Sequence, residues 1–139
     1  MRFFNFLVFL LCMLFLVGCP DAHQIQVQTA NSIAIASNAA LPTLVGEYKQ
    51  QGVTAINLSK TEEEATKKIL AIQEKWQPIW KAWETLRVAH SAWADVLESN
   101  GDWLASLLAL KNAYCGLLLV WPKEIPAIPM ASVVCGVPK

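Results

Sequence analysis

The sequence predicts an all-α protein: a small three-helix antiparallel bundle with kinked long helices and a proline-rich extended C-terminal tail. Three observations support this prediction. Apolar residues recur at three- and four-residue steps over long stretches. Capping and breaking residues divide the chain into three helical segments. Strand-like alternation is absent apart from a short piece at 132–134 that could be extended. The chain has 139 residues, which is the size of one domain.

The first eighteen residues have the pattern of a leader. Met1 and Arg2 form a short positive region, and residues 3–17 form an apolar run that only one asparagine interrupts. This run is too short to cross about 30 Å of hydrocarbon as a helix. It is typical of the core of a secretory signal peptide. The residues that follow it are Leu16-Val17-Gly18-Cys19.

This tetrapeptide resembles the lipobox of bacterial lipoproteins, in which an aliphatic residue, a small or aliphatic residue and Gly, Ala or Ser precede a cysteine. The resemblance implies that the signal peptide 1–18 is removed, that diacylglycerol is attached to the Cys19 sulfur, and that the new amino terminus is acylated. Residues 19–139 would then form a single lipid-anchored domain, bacterial or phage-encoded. The alternatives are an ordinary signal peptide and an uncleaved anchor.

Several acyl chains on one residue anchor a protein far more firmly than one chain does. Related lipoproteins that stay in the inner membrane of enteric bacteria usually have Asp after the acylated cysteine, whereas this chain has Pro20. We therefore expect the periplasmic face of a membrane, with the outer membrane favoured over the inner.

Two cysteines remain after Cys12 leaves with the leader and Cys19 is acylated. In an oxidising periplasm, Cys115 and Cys135 are expected to pair. The closed loop of about 20 residues would stabilise the fold by about 3 kcal/mol. The alternative is two buried thiols. The Cys and His spacing does not suggest a metal site, so we expect no cofactor other than the covalent diacylglycerol and N-acyl chain.

The first helix is expected at about 23–51. Apolar residues form a helical stripe along it, comprising Ile33, Ala36, Ala40, Leu44 and Tyr48. Pro42 should kink the helix or mark a fresh start, and Gly52 is a plausible stop. The polar face of this helix is uncharged, which fits either a partner surface or a solvated helix.

The second helix is expected at about 61–99. Ser59–Glu62 and Thr61–Glu64 both match a capping box. The acidic run Glu62, Glu63 and Glu64 suits the positive end of the helix dipole, so capping explains these carboxylates better than a metal or acid–base site. Pro78 predicts a kink near Glu74.

The third helix is expected at about 103–120, capped by Asp102 and ended by Pro122. It is apolar nearly all round and has tryptophan at both ends, which resembles a membrane span. A central lysine, here Lys111, costs about 2.5–3.5 kcal/mol in a bilayer, so a buried bundle helix is favoured. The tail 122–139 should be extended, laid against the bundle and pinned by the Cys115–Cys135 pair.

Candidate chemistry is sparse. Trp76, Trp80 and Trp83 share one helical face, which fits either an aromatic platform for glycan or lipid headgroups or an aromatic seam in the core. His90 lies on the same apolar stripe, where a histidine is more often a core residue than a ligand or base. No nucleophile is arranged with a base, and no phosphate loop or HExxH motif occurs. The sequence therefore predicts no enzyme, and its zero net charge argues against nucleic acid as a partner.

We expect a membrane-anchored periplasmic lipoprotein with a non-catalytic helical interaction or scaffolding domain at the cell envelope. Its partners would be the lipid bilayer and an envelope protein or peptidoglycan. One alternative resembles the single-chain spanins of phages, lysis proteins that link the outer and inner membranes, with 103–121 as the span. Another is a glycan- or peptidoglycan-binding module that uses the tryptophan face.

Overall fold

The computed structural model describes residues 22–99, 101–126, 128 and 131–136. The predicted signal peptide 1–18 and the lipidation residue Cys19 lie outside this part of the chain. The described residues form four helices in chain order: α1 (Ala22–Asn57), α2 (Glu62–Ser99), α3 (Trp103–Leu119) and α4 (Ala131–Cys135). No strand occurs among them, and the three long helices pack against one another. The prediction of an all-α three-helix bundle is confirmed.

Contacts along α1 and α2 show that the two helices run antiparallel. Near the turn between them, Lys68 Nζ donates a hydrogen bond to the Leu58 carbonyl at 3.2 Å. Further along, Trp76 Nε1 donates to Gln51 Oε1 at 3.0 Å. The last residues of α1 therefore lie beside the first residues of α2, and earlier residues of α1 lie beside later residues of α2.

Helix α3 returns along α2, and the chain that follows it reaches Lys75, whose Nζ lies 3.6 Å from a carboxylate oxygen of Glu124. With 17 residues, α3 is about 25 Å long, whereas the 38 residues of α2 span about 57 Å. Helix α3 therefore begins at the end of the bundle where α1 begins. It covers only the neighbouring part of the α1–α2 hairpin.

The core lies where the three long helices meet. Burial of Tyr114 on α3 raises the pKa of its phenol because the charged form loses hydration there. The largest fully buried side chains are Trp76, Tyr114, Ile33, Leu44, Leu110 and Leu117. Each long helix contributes to this set, so the core depends on all three.

Helix α1 extends six residues beyond the predicted end, because Gly52 does not stop it. A glycine inside a helix costs about 1 kcal/mol relative to alanine. The contacts on both sides of Gly52 offset this cost. Gln51 accepts the indole hydrogen bond of Trp76, and Ala55 is buried. Tertiary packing thus overrides the local helix-ending tendency of Gly52.

Both prolines predicted to disturb the long helices lie inside continuous helices. Pro42 and Pro78 are exposed, so water can bind the backbone carbonyls that lose a helical partner. Pro42 does not mark a fresh start. The bend expected near Glu74 stays a prediction.

The start of α2 is capped by Thr61, as one of the two matching motifs predicts. Thr61 Oγ1 accepts a hydrogen bond from the Glu64 amide at 3.2 Å, and the Glu64 carboxylate accepts one from the Lys60 amide at 3.1 Å. Ser59, the alternative cap, instead donates its hydroxyl to the Ala55 carbonyl at 2.6 Å. Hydrogen bonds from Lys68 and Lys60 lower the pKa of Glu64.

The tail after α3 folds back on the bundle, as predicted, but it is not extended throughout. A turn joins the Ile125 amide to the Pro122 carbonyl at 3.1 Å. Residues 131–135 form α4, so the extended piece expected at 132–134 is wrong. The helical turn buries Val134 in the core and leaves Val133 exposed.

Candidate functional site

The candidate tryptophans Trp76, Trp80 and Trp83 of α2 do not form one surface. Trp76 is 0% exposed. Trp80 and Trp83 are half-buried and pack against the core. The proposed platform is therefore wrong for Trp76, which no ligand can reach in this fold. The aromatic seam that was the alternative describes Trp76 correctly.

Trp76 and Trp80 belong to an aromatic cluster with Tyr48 of α1. Their ring centroids lie 5.5 Å (Tyr48–Trp76), 5.7 Å (Tyr48–Trp80) and 5.7 Å (Trp76–Trp80) apart. The tyrosine meets both indoles edge-on, which is a favoured geometry for aromatic pairs. This cluster joins α1 to α2 and is structural.

Trp83 instead lines a groove between α1 and α2. The groove has a volume of about 200 Å³. It is lined by Ile33, Ala34, Ser37, Asn38 and Leu41 of α1 and by Trp83, Leu86, Arg87 and His90 of α2. Apolar side chains and one indole therefore lie beside an amide, a guanidinium and an imidazole, so the groove suits a ligand with both apolar and polar parts.

The α1 wall of the groove carries a buried serine. Ser37 is 5% exposed, and its hydroxyl donates to the Ile33 carbonyl one turn earlier, at 2.6 Å. That bond satisfies the hydroxyl within its own helix. The groove therefore contains a hydroxyl, but not one that is hydrogen-bonded to a base.

The α2 wall carries a positive charge held in place by an ion pair. Arg87 Nε and Nη2 donate to the two carboxylate oxygens of Glu84 at 2.8 and 2.6 Å. These hydrogen bonds lower the pKa of Glu84 and raise that of Arg87. The pair is solvent-exposed, so it contributes little to stability. The two hydrogen bonds instead hold the Arg87 guanidinium beside the groove. The third guanidinium nitrogen, Nη1, is not used in the bonds to Glu84.

Sequence reasoning considered two groove residues, Trp83 and His90, as candidate site residues. It placed a third, Ile33, in the apolar stripe of the first helix without assigning it to a site. The signal that could have found Arg87 is its spacing, because Trp83, Arg87 and His90 stand at i, i+4 and i+7 on one face of α2. Ser37 and Asn38 could not be found in this way, since their position opposite this face depends on how α1 and α2 are aligned.

The structure brings Cys115 and Cys135 to bonding distance. Their sulfurs are 1.99 Å apart and their Cα atoms 5.7 Å apart, which is disulfide geometry. This bond attaches α4 to α3. Among the residues that the structure describes, no three His, Cys, Asp or Glu side chains are grouped to hold a metal ion.

Helix α3 packs as a bundle helix on one side. Leu110, Tyr114 and Leu117 are fully buried. The tryptophans at its two ends, Trp103 and Trp121, both pack against the core, and Trp121 Nε1 donates to the Pro126 carbonyl at 3.2 Å. In the described part of the chain, no helix combines the length and apolar character needed to cross a bilayer.

No protein-family model, curated protein or solved structure matches this chain.

Proposed function

We propose that this chain is a lipid-anchored, non-catalytic helical module that binds partners at the cell envelope, on the periplasmic face of a membrane. The main evidence for the lipid anchor is the sequence Leu16-Val17-Gly18-Cys19 at the end of an apolar run. Pro20 after the cysteine favours the outer membrane. The Cys115–Cys135 disulfide geometry supports an oxidising compartment.

Only a short segment separates Cys19 from the helical bundle. Cys19 stands three residues before Ala22, the first residue of α1. Three residues span at most about 10 Å. The proposed anchor therefore holds the end of the bundle at the bilayer surface, without a long linker.

The mass of the intact, membrane-extracted protein tests the anchor. We expect the mass of residues 19–139 plus diacylglycerol and one further acyl chain. We also expect Cys19→Ala to retain the leader, because no sulfur remains to accept the lipid. Cys12→Ala, a cysteine within the same leader, is the matched control and should be processed normally. An unmodified Cys19, or a retained leader in the unaltered protein, contradicts the anchor.

The groove supports a second, more specific candidate: binding of a peptidoglycan fragment. Such fragments carry acetylated sugar rings and carboxylates. The Trp83 indole can pack on a sugar ring. The Arg87 guanidinium can donate to a carboxylate, and Asn38 can bond to an amide or hydroxyl. The hypothesis of a glycan-binding tryptophan face is thus retained for Trp83 alone.

Separate substitution of two tryptophans tests this candidate. We expect Trp83→Ala to weaken binding of a soluble disaccharide–peptide fragment of peptidoglycan about ten-fold, the effect of about 1.4 kcal/mol. Trp80→Ala, also half-buried but absent from the groove, should bind as the unaltered protein does once both variants are shown to be folded. Calorimetric titration measures the affinity. Equal affinity for Trp83→Ala and the unaltered protein contradicts a glycan role for the groove.

A further inference from the structure

Helix α3 has an outer face that the bundle leaves uncovered. At about 100° per residue, its buried residues Leu110, Tyr114 and Leu117 lie on one side. The opposite side carries Leu104 and Leu108, which are 50% and 51% exposed, and Leu119 at 86%. A helix that is apolar all round is normally covered on every side. We therefore expect another apolar surface to pack against this outer face.

The outer face of α3 carries a single charged residue. Ala105 and Ala109 are exposed between the leucines. Val133 of α4, two residues before Cys135, is also exposed. The one charge on α3 is Lys111, and no acidic residue occurs from 103 to 119. The acids that flank the helix are engaged: Asp102 accepts the Ala105 amide at 3.1 Å, and Glu124 pairs with Lys75.

We propose that the outer face of α3 lies on the phospholipid bilayer to which Cys19 is anchored. This inference rests on the proposed anchor. Helix α3 begins at the same end of the bundle as α1, and α1 begins three residues after Cys19. The tether thus brings this face, rather than the far end of the hairpin, next to the membrane.

The charge pattern fits a bilayer better than it fits a second copy of the chain. The leucines enter the boundary between headgroups and acyl chains. The long Lys111 side chain reaches back to the phosphates. In a two-fold symmetric dimer formed through the middle of α3, two Lys111 ammonium groups would meet with no carboxylate on either helix to pair with.

Photocrosslinking in the membranes of producing cells tests the proposal. The full chain carries p-benzoylphenylalanine at Leu108, or at Ile56 of α1 as the control. The two native side chains are similarly exposed, 51% and 54%, but Ile56 lies at the far end of the hairpin. We expect phospholipid adducts, identified by mass, to be at least ten-fold more abundant at Leu108.

Other outcomes separate this inference from the anchor. Equal lipid labelling at both positions, or crosslinking of Leu108 to a second copy or another protein, overturns the proposal. The intact mass of the same sample reports the acylation of Cys19 independently. An acylated protein without lipid adducts at Leu108 overturns the α3 contact alone. If Cys19 is unmodified, the proposed anchor fails, and the adducts at Leu108 still decide whether α3 meets lipid.

A charge variant provides a second, independent readout. Lys111→Glu should lower the yield of lipid adducts at Leu108 several-fold, because it places a carboxylate against the phosphates, whereas Lys111→Arg should preserve it. Lys111 is exposed, so neither substitution disturbs the core. An unchanged yield with Lys111→Glu overturns the role of this charge.

Discussion

Trp76→Ala is expected to lower the free energy of unfolding by about 3–5 kcal/mol, the range for deleting a large buried aromatic side chain. Trp76 is completely buried, and it lies where α1 and α2 meet. Domains of this size are stable by only about 5–15 kcal/mol in total. The variant should therefore be only marginally folded at room temperature.

The loss extends beyond the space that the indole fills. Trp76 Nε1 donates to Gln51 Oε1, and Gln51 Nε2 donates in turn to Glu47 Oε1 at 3.0 Å. Removing the indole leaves the Gln51 oxygen without this donor in a half-buried position, which carries its own cost. It also removes one of the three rings of the aromatic cluster, leaving only the contact between Tyr48 and Trp80.

Urea unfolding followed by far-ultraviolet circular dichroism measures the effect. Trp80→Ala is the matched control, because Trp80 belongs to the same cluster but is only half-buried. We expect its loss to be smaller, about 1–3 kcal/mol. Trp76→Phe should also lose less than Trp76→Ala, since an aromatic ring remains. A loss below that of Trp80→Ala would contradict the larger contribution expected from the completely buried Trp76.

The sequence predicted the helices well because their signals are local. Apolar spacing located the three long helices, Thr61 and Asp102 are the caps found in the structure, and α3 ends before Pro122. Gly52 misled the prediction because its effect is local and weak, whereas the Gln51–Trp76 hydrogen bond joins residues 25 positions apart in the chain.

The candidate site was harder to predict, because a helical stripe does not show what covers it. Trp76 and Trp83 stand two turns apart on the same face of α2. One is buried under Tyr48 and Gln51, and the other opens into the groove. What differs is the α1 residue opposite each, and that depends on the alignment of the two helices. The polar residues of the groove were therefore found only in the structure.

The second large effect concerns the disulfide geometry between Cys115 and Cys135. The double variant Cys115→Ser, Cys135→Ser is expected to lower the free energy of unfolding by about 3 kcal/mol. This is the chain-entropy value for the sequence separation of 20 residues. The crosslink restricts the unfolded chain, so its loss favours unfolding even where native contacts stay intact.

The same substitution should also loosen the tail locally. Ile125, Ile128 and Val134 are buried, so the tail keeps apolar contacts after the crosslink is lost. Five residues of α4 are too few to form a stable helix by themselves, however. Amide exchange in residues 131–135 should therefore rise at least ten-fold, while the middle of α2 should change only with global stability.

Chemical denaturation and amide exchange measured by mass spectrometry separate the two effects. Val133→Ala is the matched control, because it alters an exposed residue of α4 and leaves the crosslink in place. It should change the free energy of unfolding by less than about 0.5 kcal/mol. Reducing the unaltered protein should reproduce the double variant. If the double variant lost less than about 1 kcal/mol and exchange in 131–135 stayed unchanged, apolar burial alone would hold the tail, because a crosslink that restricts the unfolded chain must show a cost when it is removed.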